Sequence, residues 1–137
     1  MSYDLMVFEP MDIANNRNQF MEWYEEQTKW AEGHTYDDPA ITTPSLRAWF
    51  LEIALSFPPL NGPLSKVDLP EDEDSATDYS IGMSVIYCSF AWSKASPAYD
   101  TVFKLAQKHS VGFLDASSEN AEVWLPSKGK LILAHRR

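Results

Sequence analysis

Residues 79–92, YSIGMSVIYCSFAW, decide the class of fold. The stretch is dense in Ile, Val, Tyr and Phe, which favour β-strands because branched and aromatic side chains pack well on a pleated surface. Gly82 lies within it, and a glycine inside a strand pattern is typical of a bend. We therefore expect a central strand here, or a pair of strands hinged at Gly82.

Three helices are predicted around this stretch. The first covers about 17–31 after a capping asparagine and the second about 44–57, both with apolar residues every three or four positions. The second starts at Thr43-Pro44 and the third at Ser96-Pro97, because a hydroxyl side chain suits the N-cap and proline suits the first helical position. The third helix is expected to end near His109.

Short apolar runs predict the remaining strands. The first is 3–8, YDLMVF, and the others lie at 111–114, 123–125 and 130–134. The resulting order β-α-α-β-α-β-β predicts an α+β domain with a mostly antiparallel sheet and helices packed on one face. We expect one domain over residues 1–137, with a ferredoxin-like topology.

A long acidic loop interrupts this pattern at about 58–77, PPLNGPLSKVDLPEDEDSAT. It has no apolar periodicity, and loops of this length in compact domains are usually functional or mobile. The carboxylates of the loop and of the residue just after it are closely spaced, but they lack the alternating pattern of a calcium-binding loop. They are Glu71, Asp72, Glu73, Asp74 and Asp78.

The negative charge is concentrated in the first part of the chain. Residues 1–78 carry 16 Asp and Glu against 4 Lys and Arg, a formal charge of −12, whereas residues 79–137 carry 4 against 7, a charge of +3. A field of this sign repels nucleic acids and anionic membranes and attracts basic partners. We therefore expect a basic protein partner, no nucleic acid and no membrane.

No pattern of catalytic or cofactor-binding residues is present. Cys88 lies in the apolar run SVIYCSF, which predicts a buried thiol, and no G-x-S-x-G element occurs. His34, Asp37 and Asp38 are the best local set of metal ligands, but a turn before proline explains them better. We expect neither a metal nor a cofactor. The N-terminus lacks the features of a secretory signal, which predicts a cytoplasmic protein.

Several stretches together resemble one protein family. MSYDLMVF, TPSLRAWF, FPPLNGP, DYSIGMSVIYCSFAWSKA and LAQKHSVGFLD are similar to a widespread family of small bacterial proteins that begin MSYDL and have no established activity. Ser110 stands where the family usually has glycine after the histidine. The resemblance implies no catalytic residues. Small acidic proteins of this kind resemble immunity proteins of toxin systems between bacteria.

The leading interpretation is an acidic protein-binding protein, specifically an immunity protein that occludes the active site of a bacterial toxin. An enzyme is the less favoured reading. The alternative is a small enzyme or small-molecule-binding protein with a pocket near the segment DDPAITTP, lined by Tyr36, Asp37, Asp38 and Arg47. The residues predicted to contact a partner are Glu71, Asp72, Glu73, Asp74 and Asp78, followed by Asp37, Asp38, Glu22, Glu25, Glu26 and Trp30.

Overall fold

The computed structural model describes residues 2–65 and 73–137. In these ranges six strands and three α-helices follow in the order β-α-α-β-β-α-β-β-β. The elements are β1 (Tyr3–Phe8), α1 (Arg17–Gln27), α2 (Pro44–Ile53), β2 (Asp78–Ile81), β3 (Val85–Phe90), α3 (Ala95–His109), β4 (Gly112–Leu114), β5 (Val123–Ser127) and β6 (Lys130–His135).

The six strands form one sheet in the order β2-β3-β1-β4-β5-β6, and every neighbouring pair is antiparallel. The predicted hinge at Gly82 is confirmed, because β2 and β3 form a hairpin around it and the Gly82 N–H donates to the carbonyl of Val85 at 2.8 Å. The predicted α+β class and antiparallel sheet are confirmed as well.

The ferredoxin-like topology is wrong. That topology follows β-α-β-β-α-β, whereas here two helices follow β1 before the β2–β3 hairpin, and a second hairpin, β5–β6, extends the far side of the sheet. β1 lies between β3 and β4, so the chain crosses over it through α3. The difference lies in two additions: α1 covers the second apolar side of β1, and the β5–β6 hairpin continues the sheet beyond β4.

The prediction of helices on one face of the sheet is also wrong. Leu5 and Val7 of β1 pack in a core with α2 and α3, while Met6 and Phe8 pack in a second core with α1. Successive strand residues point to opposite faces, and these four side chains are all fully buried. A central strand that is apolar on both sides needs cover on both sides. We call the side with Leu5 and Val7 the helix-pair face and the side with Met6 and Phe8 the α1 face.

α1 and α2 start at their predicted caps, whereas α3 starts at Ala95, ahead of the predicted Ser96-Pro97 start, with Lys94 at the N-cap position and no side-chain cap bond. α3 ends at His109 as predicted, but α1 does not end where its apolar pattern ends. The Asn16 carboxamide oxygen accepts from the Gln19 N–H at 3.0 Å, and the Thr43 side chain caps α2. α1 ends at Gln27 rather than near 31, where the Thr28 hydroxyl donates to the Tyr24 carbonyl at 3.0 Å. A threonine hydroxyl that bonds the preceding turn competes with continuation of the helix. Within the described ranges, no helix has the length and apolar character needed to cross a membrane.

His135 joins the last strand to the start of α1. Its Nε2 donates to the carbonyl of Ala14 at 2.7 Å, so its Nδ1 accepts from Arg17 Nη1 at 3.2 Å. Burial lowers the pKa of His135 below its ordinary value of 6.5; the hydrogen bond to Ala14 opposes this shift, and the neighbouring Arg17 charge adds to it. Protonation at Nδ1 would place two positive groups in contact.

This geometry predicts a loss of stability on mild acidification. Because the folded-state pKa of His135 is lowered, its contribution is present above about pH 6.5 and is lost as the pH falls. We expect the free energy of unfolding to fall slightly between about pH 7.5 and pH 5.5, because the unfolded-state imidazole takes up a proton first, and screening by solvent keeps the change small. Urea unfolding at both pH values measures the change.

The matched variant for this test is His135→Phe. It keeps the ring contact with Phe20, whose centroid lies 5.5 Å from that of the imidazole, and it removes the titrating group. Its pH dependence of stability should be flatter than that of the wild type. An identical pH dependence in the two proteins would show that His135 is not the group responsible.

Candidate functional site

The solvent-facing side of α1 carries a row of carboxylates. Glu22, Glu25 and Glu26 are exposed, whereas Phe20 on the opposite side is fully buried against the sheet. Glu26 forms an exposed ion pair with Lys29 at 2.7 Å. Glu22 and Glu25 have no ion pair among the contacts resolved for the described residues. The predicted acidic residues of this helix therefore face solvent together.

The carboxylates of α1 are poorly placed for helix stability. Glu25 and Glu26 lie in its last turn, next to the negative end of the helix dipole, and that turn contains no basic residue. Its first turn, where acidic side chains would stabilise the helix, contains no acidic residue. An isolated helix is stabilised by acidic residues in its first turn and basic residues in its last turn, and α1 has neither.

Near the C-terminal end of α1, the side of the sheet that α1 covers carries polar residues and not apolar core residues. Asp4, Ser89 and Asp78 form one row across β1, β3 and β2, as the strand register shows. Two spacings between adjacent strands put the two aspartates roughly 10 Å apart, with Ser89 between them. The adjacent row contains Tyr87 and Ser80. This part of the sheet is therefore suited to polar contacts.

A shallow cavity of about 330 Å³ lies between this polar surface and the end of α1. The serines and Tyr87 form its floor, and the last turn of α1 and the following residues form its wall. We call it the aromatic cavity. It is lined by Tyr24, Thr28, Trp30, Ser80, Tyr87 and Ser89.

A hydrogen bond fixes the aromatic floor of the cavity. The Tyr87 hydroxyl donates to Asp4 Oδ2 at 2.7 Å, and the Ser2 hydroxyl donates to Asp4 Oδ1 at 2.6 Å. Burial, and next the hydrogen bond to Asp4, raise the pKa of Tyr87 far above its usual value, and burial also raises the pKa of Tyr24. Both phenols therefore stay neutral at physiological pH, and Tyr87 orients the Asp4 carboxylate.

Trp30 forms the outer wall of the cavity in an uncommon backbone conformation. Its φ is 53° and that of Tyr36 is 62°, and bulky residues rarely adopt this left-handed region. The Trp30 ring packs edge-on against Tyr36 and Tyr87, with centroids 5.3 and 6.1 Å apart. Strained residues of this kind persist when surrounding contacts hold them, and they cluster at binding sites. Trp30 is half-buried, so one edge remains accessible.

The structure brings only some of the predicted partner-binding residues together. Trp30 lines the aromatic cavity, and Asp78 flanks its Ser89 floor. Asp74 is exposed and accepts from the Ser93 hydroxyl at 2.8 Å, and Glu73 begins a 3₁₀ turn, Glu73–Ser75. The predictions for Glu71 and Asp72 lie outside the described residues, as does the middle of the predicted 58–77 loop.

The residues of the alternative pocket are largely engaged with their own segment. Arg47 donates to the carbonyls of Pro39, Ala40 and Thr42 at 3.1, 3.0 and 2.9 Å. Asp38 caps a 3₁₀ turn by accepting from the Ala40 N–H at 2.9 Å, and Asp37 accepts from the Thr35 hydroxyl.

The remaining member of that set, Tyr36, lies at the outer edge of β2. Its carbonyl accepts from the Ile81 N–H at 2.8 Å, and its hydroxyl accepts from the Glu32 N–H at 2.6 Å. These bonds position the segment between α1 and α2. A ligand pocket formed by these four residues stays a prediction.

The two candidates for metal or thiol chemistry have other local roles. His34 contacts Glu32 Oε1 through its Nε2 at 2.6 Å, and its Nδ1 accepts from the Tyr36 N–H. Across residues 2–65 and 73–137, no three His, Cys, Asp or Glu side chains converge as metal ligands. Cys88 is buried as predicted, and burial raises its thiol pKa well above the usual value.

Sequence reasoning missed the polar part of the site. The sequence pattern predicts only strands and a helix at these positions, which are Asp4, Tyr24, Ser80, Tyr87 and Ser89. A signal for three of them exists, because polar residues at positions 78 and 80 and again at 87 and 89 alternate with buried ones. Such alternation indicates one exposed sheet face.

Comparison with known proteins identifies no relative. No protein-family model matches the chain, and neither a curated protein nor a solved structure matches it. The resemblance to bacterial proteins beginning MSYDL therefore remains an expectation. The charge of α1 and the geometry of the aromatic cavity are the features that bear on function.

Proposed function

We propose that this protein binds a basic protein partner through the acidic surface of α1 and the adjoining aromatic cavity. The reversed charge of α1 is the observation that carries the proposal. Glu25 and Glu26 lie where negative charge opposes the helix dipole, and the exposed Glu26–Lys29 pair offsets this for Glu26 only in part. Exposed charge that disfavours its own helix is explained by recognition of a partner.

The aromatic residues beside the carboxylates support the same proposal. Tyr and Trp are enriched among the residues that contribute most to interfaces, because they bury a large area at low entropic cost. Tyr24, Trp30 and Tyr87 are all half-buried, and each has ring surface within reach of solvent at the cavity. Charge on α1 would accelerate association, and the aromatic rings would slow dissociation.

The specific role that we propose is that of an immunity protein that covers the active site of a toxin. Toxins that act on nucleic acids need basic surfaces to bind phosphates, and an acidic inhibitor presents the complementary charge. The resemblance described above and the −12 charge of residues 1–78 support this role. The proposal is tested by whether this protein inhibits the activity of its toxin.

The test begins with capture of partners by the full chain from a lysate of the native host. A captured protein counts as support only when it is basic, binds in a purified complex, and loses affinity steadily between about 50 and about 500 mM NaCl. We then expect the toxicity of that partner in growing cells to be suppressed when this protein is co-expressed. A partner whose affinity is insensitive to salt would contradict recognition by charge.

A further inference from the structure

We propose that the aromatic cavity binds the guanidinium group of an arginine side chain, which serves as the anchor of the basic partner. This inference rests on the proposed function and deepens it, because it assigns one side-chain chemistry to one cavity. Three independent features of the cavity favour a flat organic cation. They are its electrostatic surroundings, its aromatic walls and its hydroxyl groups.

The electrostatic surroundings of the cavity are negative from several directions. Asp4 and Asp78 lie on either side of the Ser89 floor, on neighbouring strands. The C-terminal turn of α1, which supplies Tyr24 and is followed by Thr28, is the negative end of the helix dipole, and it has no basic residue of its own. No residue lining the cavity is basic. Lys29, between the lining residues Thr28 and Trp30, is the nearest basic residue in sequence, and its ammonium is paired with Glu26 at 2.7 Å.

The aromatic walls add an attraction that an anion or neutral group would not experience. Tyr24, Trp30 and Tyr87 line the cavity, and a cation over such rings is attracted by the negative face of the π-system. Trp gives the strongest interaction of this type. The contacts of Trp30 with Tyr36 and Tyr87 hold its ring in place before binding, so little side-chain entropy remains to be lost.

The hydroxyl groups favour guanidinium over ammonium. Ser80, Ser89 and Thr28 provide acceptors around the cavity, and the Asp4 carboxylate keeps acceptor capacity beyond its bonds to Tyr87 and Ser2. A guanidinium presents five donors in one plane and stacks on aromatic rings. An ammonium is compact and strongly hydrated, so it would lose more hydration for fewer contacts.

The test uses the full-length wild-type protein and three small probes: N-acetyl-arginine amide, N-acetyl-lysine amide and N-acetyl-citrulline amide. Citrulline has nearly the shape of arginine without the charge. We expect arginine amide to bind with a Kd in the millimolar range, because one side chain offers few atoms. Amide NMR shifts should map to Ser80, Tyr87, Ser89 and Trp30. Lysine amide should bind about threefold more weakly, and citrulline amide should cause no mapped shift.

Two variants and two matched controls locate the binding. Asp78→Asn and Trp30→Ala should each weaken arginine amide binding about fivefold or more. Asp100→Asn removes one exposed carboxylate from α3, and Trp92→Ala removes an exposed tryptophan beside Tyr3, both away from the cavity. The controls should bind like the wild type. Because Asp78 is exposed, its variant keeps the test decisive if Trp30→Ala folds poorly.

The outcomes separate this inference from the proposed function. Equal shifts with citrulline and arginine amide, or shifts that map elsewhere, would overturn the arginine site. If a basic partner binds with salt-dependent affinity but Asp78→Asn and arginine amide have no effect, the anchor is wrong and the proposed function stands. If arginine amide binds at the cavity while no basic partner exists, the cavity chemistry stands and the proposed function fails.

Discussion

Replacement of Gly112 by alanine is expected to lower the free energy of unfolding by about 3 kcal/mol. Gly112 pairs with Phe8 in the sheet, and a Cβ atom added at Gly112 would overlap the Phe8 ring. That ring cannot easily move away, because it packs against Phe20 and Trp23 at centroid distances of 5.2 and 5.8 Å. The smaller entropy of the unfolded chain with alanine offsets only up to about 1 kcal/mol. Urea unfolding followed by tryptophan fluorescence and circular dichroism measures the loss.

A double-mutant cycle with Phe8→Leu tests the cause of that loss. Leucine removes the ring that the new Cβ would strike, although the single change Phe8→Leu destabilises the core on its own. We expect Gly112→Ala to cost at least about 1 kcal/mol less in the Phe8→Leu background than in the wild type. An equal cost in both backgrounds would show that contact with Phe8 is not the reason for glycine at this position.

Replacement of Glu22, Glu25 and Glu26 by glutamine is expected to weaken binding of the basic partner about tenfold at low salt. Each exposed charge contributes only a few tenths of a kcal/mol up to about 1 kcal/mol, so three together reach this range. Most of the change should lie in the association rate. Surface plasmon resonance at several salt concentrations measures both rates. The stability of the variant should change little, because the removal of negative charge from the C-terminal turn of α1 is offset by the loss of the exposed Glu26–Lys29 ion pair.

The control variant has the same net charge as the α1 variant, but its substitutions lie outside α1. The variant Asp12→Asn, Asp100→Asn and Glu119→Gln also removes three exposed carboxylates, so each triple variant changes the formal charge from −9 to −6. We expect the control to lose clearly less affinity than the α1 variant. An equal loss in the two variants would mean that the overall charge, and not the surface of α1, attracts the partner.

The local elements of this fold could be predicted from the chain because their signals are local. A cap followed by proline at Thr43-Pro44, a glycine hinge at Gly82 and short apolar runs specify helices and strands through contacts within a few residues. The end of α1 could not be predicted in this way. The Thr28 hydroxyl and the left-handed conformation of Trp30 end the helix, although apolar residues continue at helical spacing.

One strand carries the information on the number of layers. In β1, Leu5, Met6, Val7 and Phe8 are four consecutive apolar residues, and such a run indicates burial on both sides of a sheet. Helices on one face alone would leave one side of this run exposed to solvent. The run requires cover on both faces, and the packing shows that α1 covers Met6 and Phe8 while α2 and α3 cover Leu5 and Val7.

The candidate site shows the same division between local and long-range information. The helical pattern predicts that α1 is acidic and that its carboxylates are exposed. This prediction requires only a helix whose opposite side packs on the core. The aromatic cavity could not be predicted from the sequence pattern. The residues that form or flank it are far apart in sequence and come together only through the strand register and the position of α1; they include Asp4, Tyr24, Asp78 and Tyr87. Local propensity depends on neighbours along the chain, whereas a cavity depends on which strands pair and in which register, and pairing is decided by burial of the whole sheet.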